Sequence, residues 1–253
     1  MNEINSHDTL GHRCVMGVVA PATNTAVQAE MDGLRIEGVI NAHARIANPE
    51  QRVGVDADEL AVRAAMVSGL MGAVDTLRPC QPDHVILGVM VENFVGGGAA
   101  GAALIRDAGE RLGCGVTDYS SAILAALDAL FGRPVRIGLL TPFMPVGDTA
   151  ARRLFEEAGH DVVRLIGLRA PSPASIGRVK LGRLREAVTD LNAAEVEVII
   201  QVGTGLPFAG VARAAEAEIG KPVLASNPVS YWRALRQCGI ADAMPDQGRL
   251  FAL

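Results

Sequence analysis

The sequence is poor in aromatic residues: one Trp, two Tyr and six Phe stand among 253 residues, so a core must be filled by Val, Ile and Ala. It has only four cysteines (Cys14, Cys80, Cys114 and Cys238), without CxxC spacing. That excludes a disulfide framework and fits a reducing cytoplasm. Positive charge is not in excess. The 23 Lys and Arg are scattered and outnumbered by 28 Asp and Glu, a net charge of −5, so nucleic acid is not an expected partner. The longest apolar runs, such as 85–91, stop well short of the ~20 residues that span a bilayer, so no membrane partner is expected. Residues 1–13 are polar, carry His7 and His12 and lack an apolar stretch, so no secretory signal is expected. The five histidines (His7, His12, His43, His84, His160) are dispersed, which argues against a metal centre. Neither a GxSxG elbow nor a GK[ST] phosphate loop occurs. What is present is 49% hydrophobic residues against 20% charged, with 28 Gly and 13 Pro. Such a chain can fill a real core, and its length suits one large α/β domain or two small ones.

Short apolar segments alternate with amphipathic ones. Strands are expected at 14–20, 84–91, 135–140, 161–168, 196–202 and 222–225, rich in Val and Ile and continuously apolar, as in strands covered on both faces. Helices are expected at 57–77, 99–112, 120–130, 148–158, 181–191, 211–219 and 229–236. This alternation predicts parallel sheets built from βαβ units. The two halves echo each other. Each opens with a strand closed by a Pro-containing turn (Ala20-Pro21, then Thr141-Pro142). Each has a buried strand ending in a glycine-bearing loop (91–98, then 203–210), and each closes with a short strand, a Ser-containing turn and a helix. The pattern predicts a pseudo-duplicated pair of Rossmann-like lobes, at 13–117 and 118–227, with a C-terminal helix and tail at 228–253 packing back on the first. The best break in composition is Arg133-Pro134. Ligands of open parallel sheets sit beyond the carboxyl ends of strands, so two facing lobes would enclose one central cleft.

Several strand-end loops could carry chemistry there. Asn24 and Thr25, after the first strand, are either a helix N-cap or, with backbone amides, a binder of an anionic group. Gly96, Gly98 and Gly101 formally satisfy a dinucleotide fingerprint, but residues intervene between the strand end and the first glycine. No strand with a terminal acidic residue follows at the right distance unless Asp118 serves. Glu92 stands at the tip of an apolar strand, where an unpaired carboxylate is costly. It is either helix-cap decoration or a cleft acid/base whose pKa burial would raise. Thr141 and the Gly203-Thr204-Gly205 loop read as tight turns, or as close backbone approach to a ligand with hydroxyl donors. Asn227 is a cap or a ligand contact.

Together these loops resemble the arylmalonate decarboxylase and maleate cis–trans isomerase branch of the aspartate/glutamate racemase superfamily. The resemblance rests on Val19-Ala20-Pro21-Ala22-Thr23-Asn24-Thr25, Phe94-Val95-Gly96-Gly97, Thr141-Pro142, the 200–207 loop and Ile176-Gly177-Arg178. The most specific match is the run from Ser226-Asn227-Pro228 through Arg236 to Gly239. The resemblance implies an Asp/Glu racemase-like fold and cofactor-independent isomerase or lyase chemistry at a carbon beside a carboxylate, by thiols facing each other across the cleft. Here Val89 and Gly203 occupy the places of the two cysteines, Met90 and Val91 those of two oxyanion-binding hydroxyl residues, and Phe143 that of a tyrosine. The expectation is therefore a cytoplasmic enzyme on a small carboxylate, with Glu92 and Thr204 as catalytic groups in place of thiols. Asn24, Thr25, Thr141, Gly203, Gly205 and Asn227 would bind the substrate. No organic cofactor or metal is implied, and a two-fold oligomer is compatible with the size. The alternatives are a hydrolase in which Glu92 activates water, a catalytically silent carboxylate-binding protein, and, on the glycines alone, a nicotinamide-dependent oxidoreductase.

Overall fold

A computed structural model describes residues 8–90 and 97–253. Its strands fall into two four-stranded, wholly parallel sheets. The first is built from β1 (Cys14–Pro21), β2 (Val39–Ile46), β3 (His84–Leu87) and β4 (Gly115–Thr117), in the order β2-β1-β3-β4. The second uses β5 (Arg136–Thr141), β6 (Asp161–Gly167), β7 (Val198–Gln201) and β8 (Val223–Ala225), in the order β6-β5-β7-β8. The second order is the first with every strand number raised by four, so the duplication legible in the loops is also a duplication of topology.

The central strands are the apolar ones. Every residue of β1, β3 and β7 is buried, as expected for strands covered on both faces. β2, in contrast, sits at an edge and carries Asn41, His43 and Arg45 along its length, so it lacks the continuous apolar run by which the others announce themselves. That is why the sequence reading leaves it out, together with the short helix α1 (Ala26–Asp32) before it.

The remaining helices are α2 (Asp56–Thr76), α3 (Gly97–Leu112), α4 (Tyr119–Phe131), α5 (Pro145–Glu157), α6 (Pro173–Ile176), α7 (Leu181–Leu191), α8 (Ala209–Ile219) and α9 (Ser226–Gln237). Asp118 caps α4 by accepting from the Ser121 N–H at 2.9 Å, and Gly132 ends it with φ of +60°. The stretch Asp56–Cys80 is long and apolar enough to cross a membrane by length and composition, a test that a core helix also passes. Here it packs on β1, β2, α3 and α5. Because α3 begins at Gly97, Gly98 and Gly101 lie inside a helix, not in a strand-to-helix turn as a dinucleotide fingerprint requires.

One apolar core joins the two sheets. Met16, Val18 and Ile86 of the first sheet and Ile137, Leu139 and Ile200 of the second belong to a single buried cluster, bridged by α4 and α9. α9 packs against α1, α4, β3 and β4 on one side and against β8 and α8 on the other. Tyr119, Leu127, Tyr231 and Leu235 are all fully buried there. Each such side chain contributes roughly 1.5–3 kcal/mol by leaving water. Leu250 and Phe251, in the final turn, close the same core.

Candidate active site

The carboxyl ends of both sheets face a cleft of about 110 Å³. Its walls are largely apolar, with Val53, Val62, Met66, Val89, Met90 and Phe143 among them. Val89 and Gly203, the two positions that the family resemblance assigns to thiols, both line it, one from each lobe. None of the four cysteines does: Cys14 lies in β1, Cys80 and Cys114 precede strands, and Cys238 follows α9.

Polar groups gather where the loop after β1 meets the loop after β7. The Asn24 side chain does two things at once. Its Oδ1 accepts from the N–H groups of Ala26 and Val27, both at 3.0 Å, which caps α1. Its Nδ2 donates to Thr204 Oγ1 at 3.1 Å across the lobe boundary. The Thr204 hydroxyl in turn donates to the Gly88 carbonyl at 2.9 Å. The capping oxygen fixes the side chain so that its amide nitrogen stands at the cleft wall.

Gly203 has a shape reason to be glycine. Its φ is +105°, and a Cβ there would lie 2.8 and 2.9 Å from Pro142 Cδ and Cγ. The neighbouring Gly205 leaves room for Ile176, to whose Cγ2 a Cβ would come within 3.0 Å. Ile176 and Gly177 themselves line the cleft.

Other expected residues are placed differently. Thr141 is fully buried and does not line the cleft. Its hydroxyl donates to Asp148, accepts from the Phe143 N–H at 3.2 Å, and so shapes the turn carrying Pro142 and Phe143. Arg169, held at a φ of +55°, binds Asp148 at 2.5 Å and completes that buttress. Asn227 lies behind the floor, where its Nδ2 donates to Thr204 O at 3.0 Å and Glu30 Oε2 at 2.7 Å. Burial pushes the Glu30 carboxyl up, although it also accepts from the Ala209 N–H at 2.8 Å. Thr25 is exposed, and a Cβ on Gly177 would lie 2.7 Å from its hydroxyl oxygen. Glu92 lies outside the described residues, as do Val91 and Gly96.

The sequence reading missed the charged pair in the cleft wall. Glu59 and Arg63, one turn apart on α2, are both buried and ion-paired there. Glu59 Oε2 also accepts from the Met144 N–H at 2.6 Å, and the Arg63 guanidinium lies 5.6 Å from the Phe143 ring centroid. Burial pushes the Glu59 carboxyl up, against the pull of Arg63. The signal was present as an acid and a base four apart on a helix, but such pairs are usually solvated. Asn48 was also missed. It lines the cleft, donates to Thr23 Oγ1 at 3.1 Å, and leaves its buried Oδ1 without a partner.

The chain's folded likenesses are close in shape and distant in sequence. It is similar to the maleate cis-trans isomerase of Nocardia farcinica, with a TM-score of 0.83 at 22% identity over 94% of this chain and 97% of that one. It is similar to the maleate isomerase Iso of Pseudomonas putida S16, at 0.79 and 17% over 94% and 98%. Unliganded arylmalonate decarboxylase gives 0.70 and 24% over 94% and 98%. These likenesses establish the two-lobed racemase-like fold. No curated protein sequence matches the chain. The sequence pattern of the arylmalonate decarboxylase family matches residues 84–251, which takes in the glycine loops of both lobes, all of the second sheet and α9. With well over half of its length inside that pattern, the chain belongs to the arylmalonate decarboxylase family.

Proposed function

We propose that this protein is a cofactor-independent enzyme that moves a proton, or breaks a carbon–carbon bond, beside the carboxylate of a small substrate held between the two lobes, without a thiol. The observation that carries the reading is the Asn24–Thr204 contact across the lobe boundary in a largely apolar cleft. The Asn24 amide, fixed by the helix cap and by Thr204, keeps a second N–H, a donor that needs little reorganisation as charge develops on a carboxylate or enediolate-like oxygen. Asn48, on the cleft wall, holds Thr23 Oγ1, and the Gly203–Gly205 loop lines the cleft from the second lobe.

The Nocardia farcinica isomerase has been captured, as a cysteine-to-serine mutant, with a covalently bound succinylcysteine intermediate. The cleft of the present chain offers no cysteine for such an adduct. Val89 and Gly203 leave its proton chemistry to another group, and Glu92, two residues along the chain from the cleft-lining Met90, is the ionisable residue nearest in sequence. Glu59 is poorly suited to that work, because Arg63 and the Met144 N–H already engage its two oxygens. On this reading Thr141, Asn227 and Thr25 support the loops that touch substrate. The reading also makes the protein cytoplasmic, with a small carboxylate as its partner.

The test is incubation of the purified protein with maleate and with an arylmalonate in D2O, followed by NMR for isomerisation, CO2 loss or deuterium at the α-carbon. Glu92→Gln is expected to lower turnover about 100-fold or more while calorimetric binding persists, the usual magnitude for a positioned acid/base. Undiminished turnover in that variant would remove Glu92 from the mechanism. Binding with no product over long incubation would instead identify a silent carboxylate receptor.

A further inference from the structure

The four cysteines do not serve the cleft, yet two of them have been brought together from opposite ends of the chain. Cys14 opens β1, and Cys238 follows the last turn of α9. Their sulfurs are 3.4 Å apart, although the residues stand 224 positions apart in sequence. A disulfide needs about 2.05 Å, so an approach of little more than 1 Å would join them. We propose that Cys14 and Cys238 are a reversible oxidation site, forming a disulfide that ties the end of α9 to the first strand when the protein meets a peroxide.

The environment favours this pair over the other thiols. Cys14 is fully buried in the sheet, while Cys238 is partly exposed and so open to a small oxidant. Cys14 donates its S–H to Cys238, which lowers the Cys238 pKa and raises that of Cys14. Burial raises Cys114 in turn. Cys238 is therefore the thiolate former, the species a peroxide attacks.

The chemistry closes with that oxidant alone. The Cys238 thiolate attacks one peroxide oxygen, the O–O bond breaks, and the departing hydroxide takes a proton to leave as water. The resulting sulfenic acid is attacked by the Cys14 sulfur, its hydroxyl leaves as a second water with the Cys14 proton, and the S–S bond forms. Two thiols lose two electrons to one peroxide. A dithiol reductant reverses the step by exchange. Cytosolic disulfides of this kind are transient ones, so the site is compatible with a reducing compartment.

The pair lies at the starting end of β1, whereas the cleft lies beyond the carboxyl ends. α9 connects the two ends: its first turn carries Asn227, which holds Thr204 O, and Cys238 follows its last. The disulfide would therefore fix the helix that backs the cleft floor.

The experiment treats the intact reduced protein with a stoichiometric amount of hydrogen peroxide and maps peptides without reduction. Expected are a mass loss of about 2 Da, a linked peptide pair containing Cys14 and Cys238, a fall from four free thiols to two, and a melting temperature higher by about 5 °C that dithiothreitol reverses. Cys238→Ser and Cys238→Ala should both block the mass loss, and Cys80→Ser should not. Linkage through Cys114, sulfinic acid at Cys238 with Cys14 still free, or four free thiols after treatment would each overturn the proposal.

Discussion

At the scale of single residues, the cleft is defined by what Val89 and Gly203 are not. The two positions are chemically different vacancies. Val89 is an ordinary buried side chain, so Val89→Cys shortens a wall by little and should cost about 1 kcal/mol or less. Gly203, at φ of +105° and pressed on Pro142, accepts no side chain without strain. Gly203→Cys should therefore destabilise by about 1–3 kcal/mol. Urea denaturation of both variants checks this, and equal midpoints would show that the loop repacks freely. The glycine-rich turns and the Asn24 and Thr204 positions were legible in the sequence, because loops at strand ends carry their own signatures, whereas Val89 was marked only by the family resemblance. Glu59, Arg63 and Asn48 were not. Their meaning depends on which face of α2, or which side of a loop, turns toward the second lobe, and periodicity within one segment holds no information about that.

At the scale of elements, α9 is the piece whose environment is set from furthest away, and a histidine reports it. His84, at the start of β3, is buried, and its Nε2 stands 2.8 Å from Thr117 Oγ1, whose hydroxyl donates to Gln237 at the end of α9. On the other ring edge, a Cβ at Gly115 would lie 2.6 Å from Nδ1. Burial holds the His84 pKa down to about 4, against a hydrogen bond to Gln237 that pulls it up and with Arg233 nearby adding to the depression. The unfolded value is near 6.5, so below it the unfolded chain binds a proton that the folded chain refuses. Stability is then fully present above about pH 6.5 and declines as pH falls toward 4, by up to roughly 3 kcal/mol. Denaturation curves between pH 4 and 7 should show this loss, and His84→Gln should flatten it. A slope unchanged in the variant would assign the loss to other groups. The central strands and most helices were evident from their patterns, whereas β2 hid because an edge strand with Asn, His and Arg along it reads like a loop.

At the scale of the whole molecule, the repeated strand order suggests two units, but the buried cluster that joins both sheets through α4 and α9 binds them into one. The sole tryptophan, Trp232, sits in α9 within this shared cluster. Its fluorescence and the far-ultraviolet circular dichroism should therefore report one coincident thermal transition. Two separated transitions would mean that the lobes unfold independently. Sequence symmetry foretold the duplication. It could not foretell the degree of fusion, because that depends on side chains from both halves meeting around helices that belong wholly to neither.

The hydrogen bonds behind the cleft also have a mechanical meaning. Glu30, Asn24 and Gly88 of the first lobe are all joined through Thr204 of the second, Glu30 by way of Asn227. Across the mouth, the lobes are tied by Val53 N–H to the Pro171 carbonyl at 2.7 Å and by Ala174 N–H to Glu50 at 2.9 Å. The inner bonds are largely shielded from water, while the Ala174–Glu50 tie is exposed to it. The two sets of ties thus differ in how water reaches them: solvent competes directly for the Ala174–Glu50 bond, whereas the bonds at Thr204 are reached only after the surrounding core has parted.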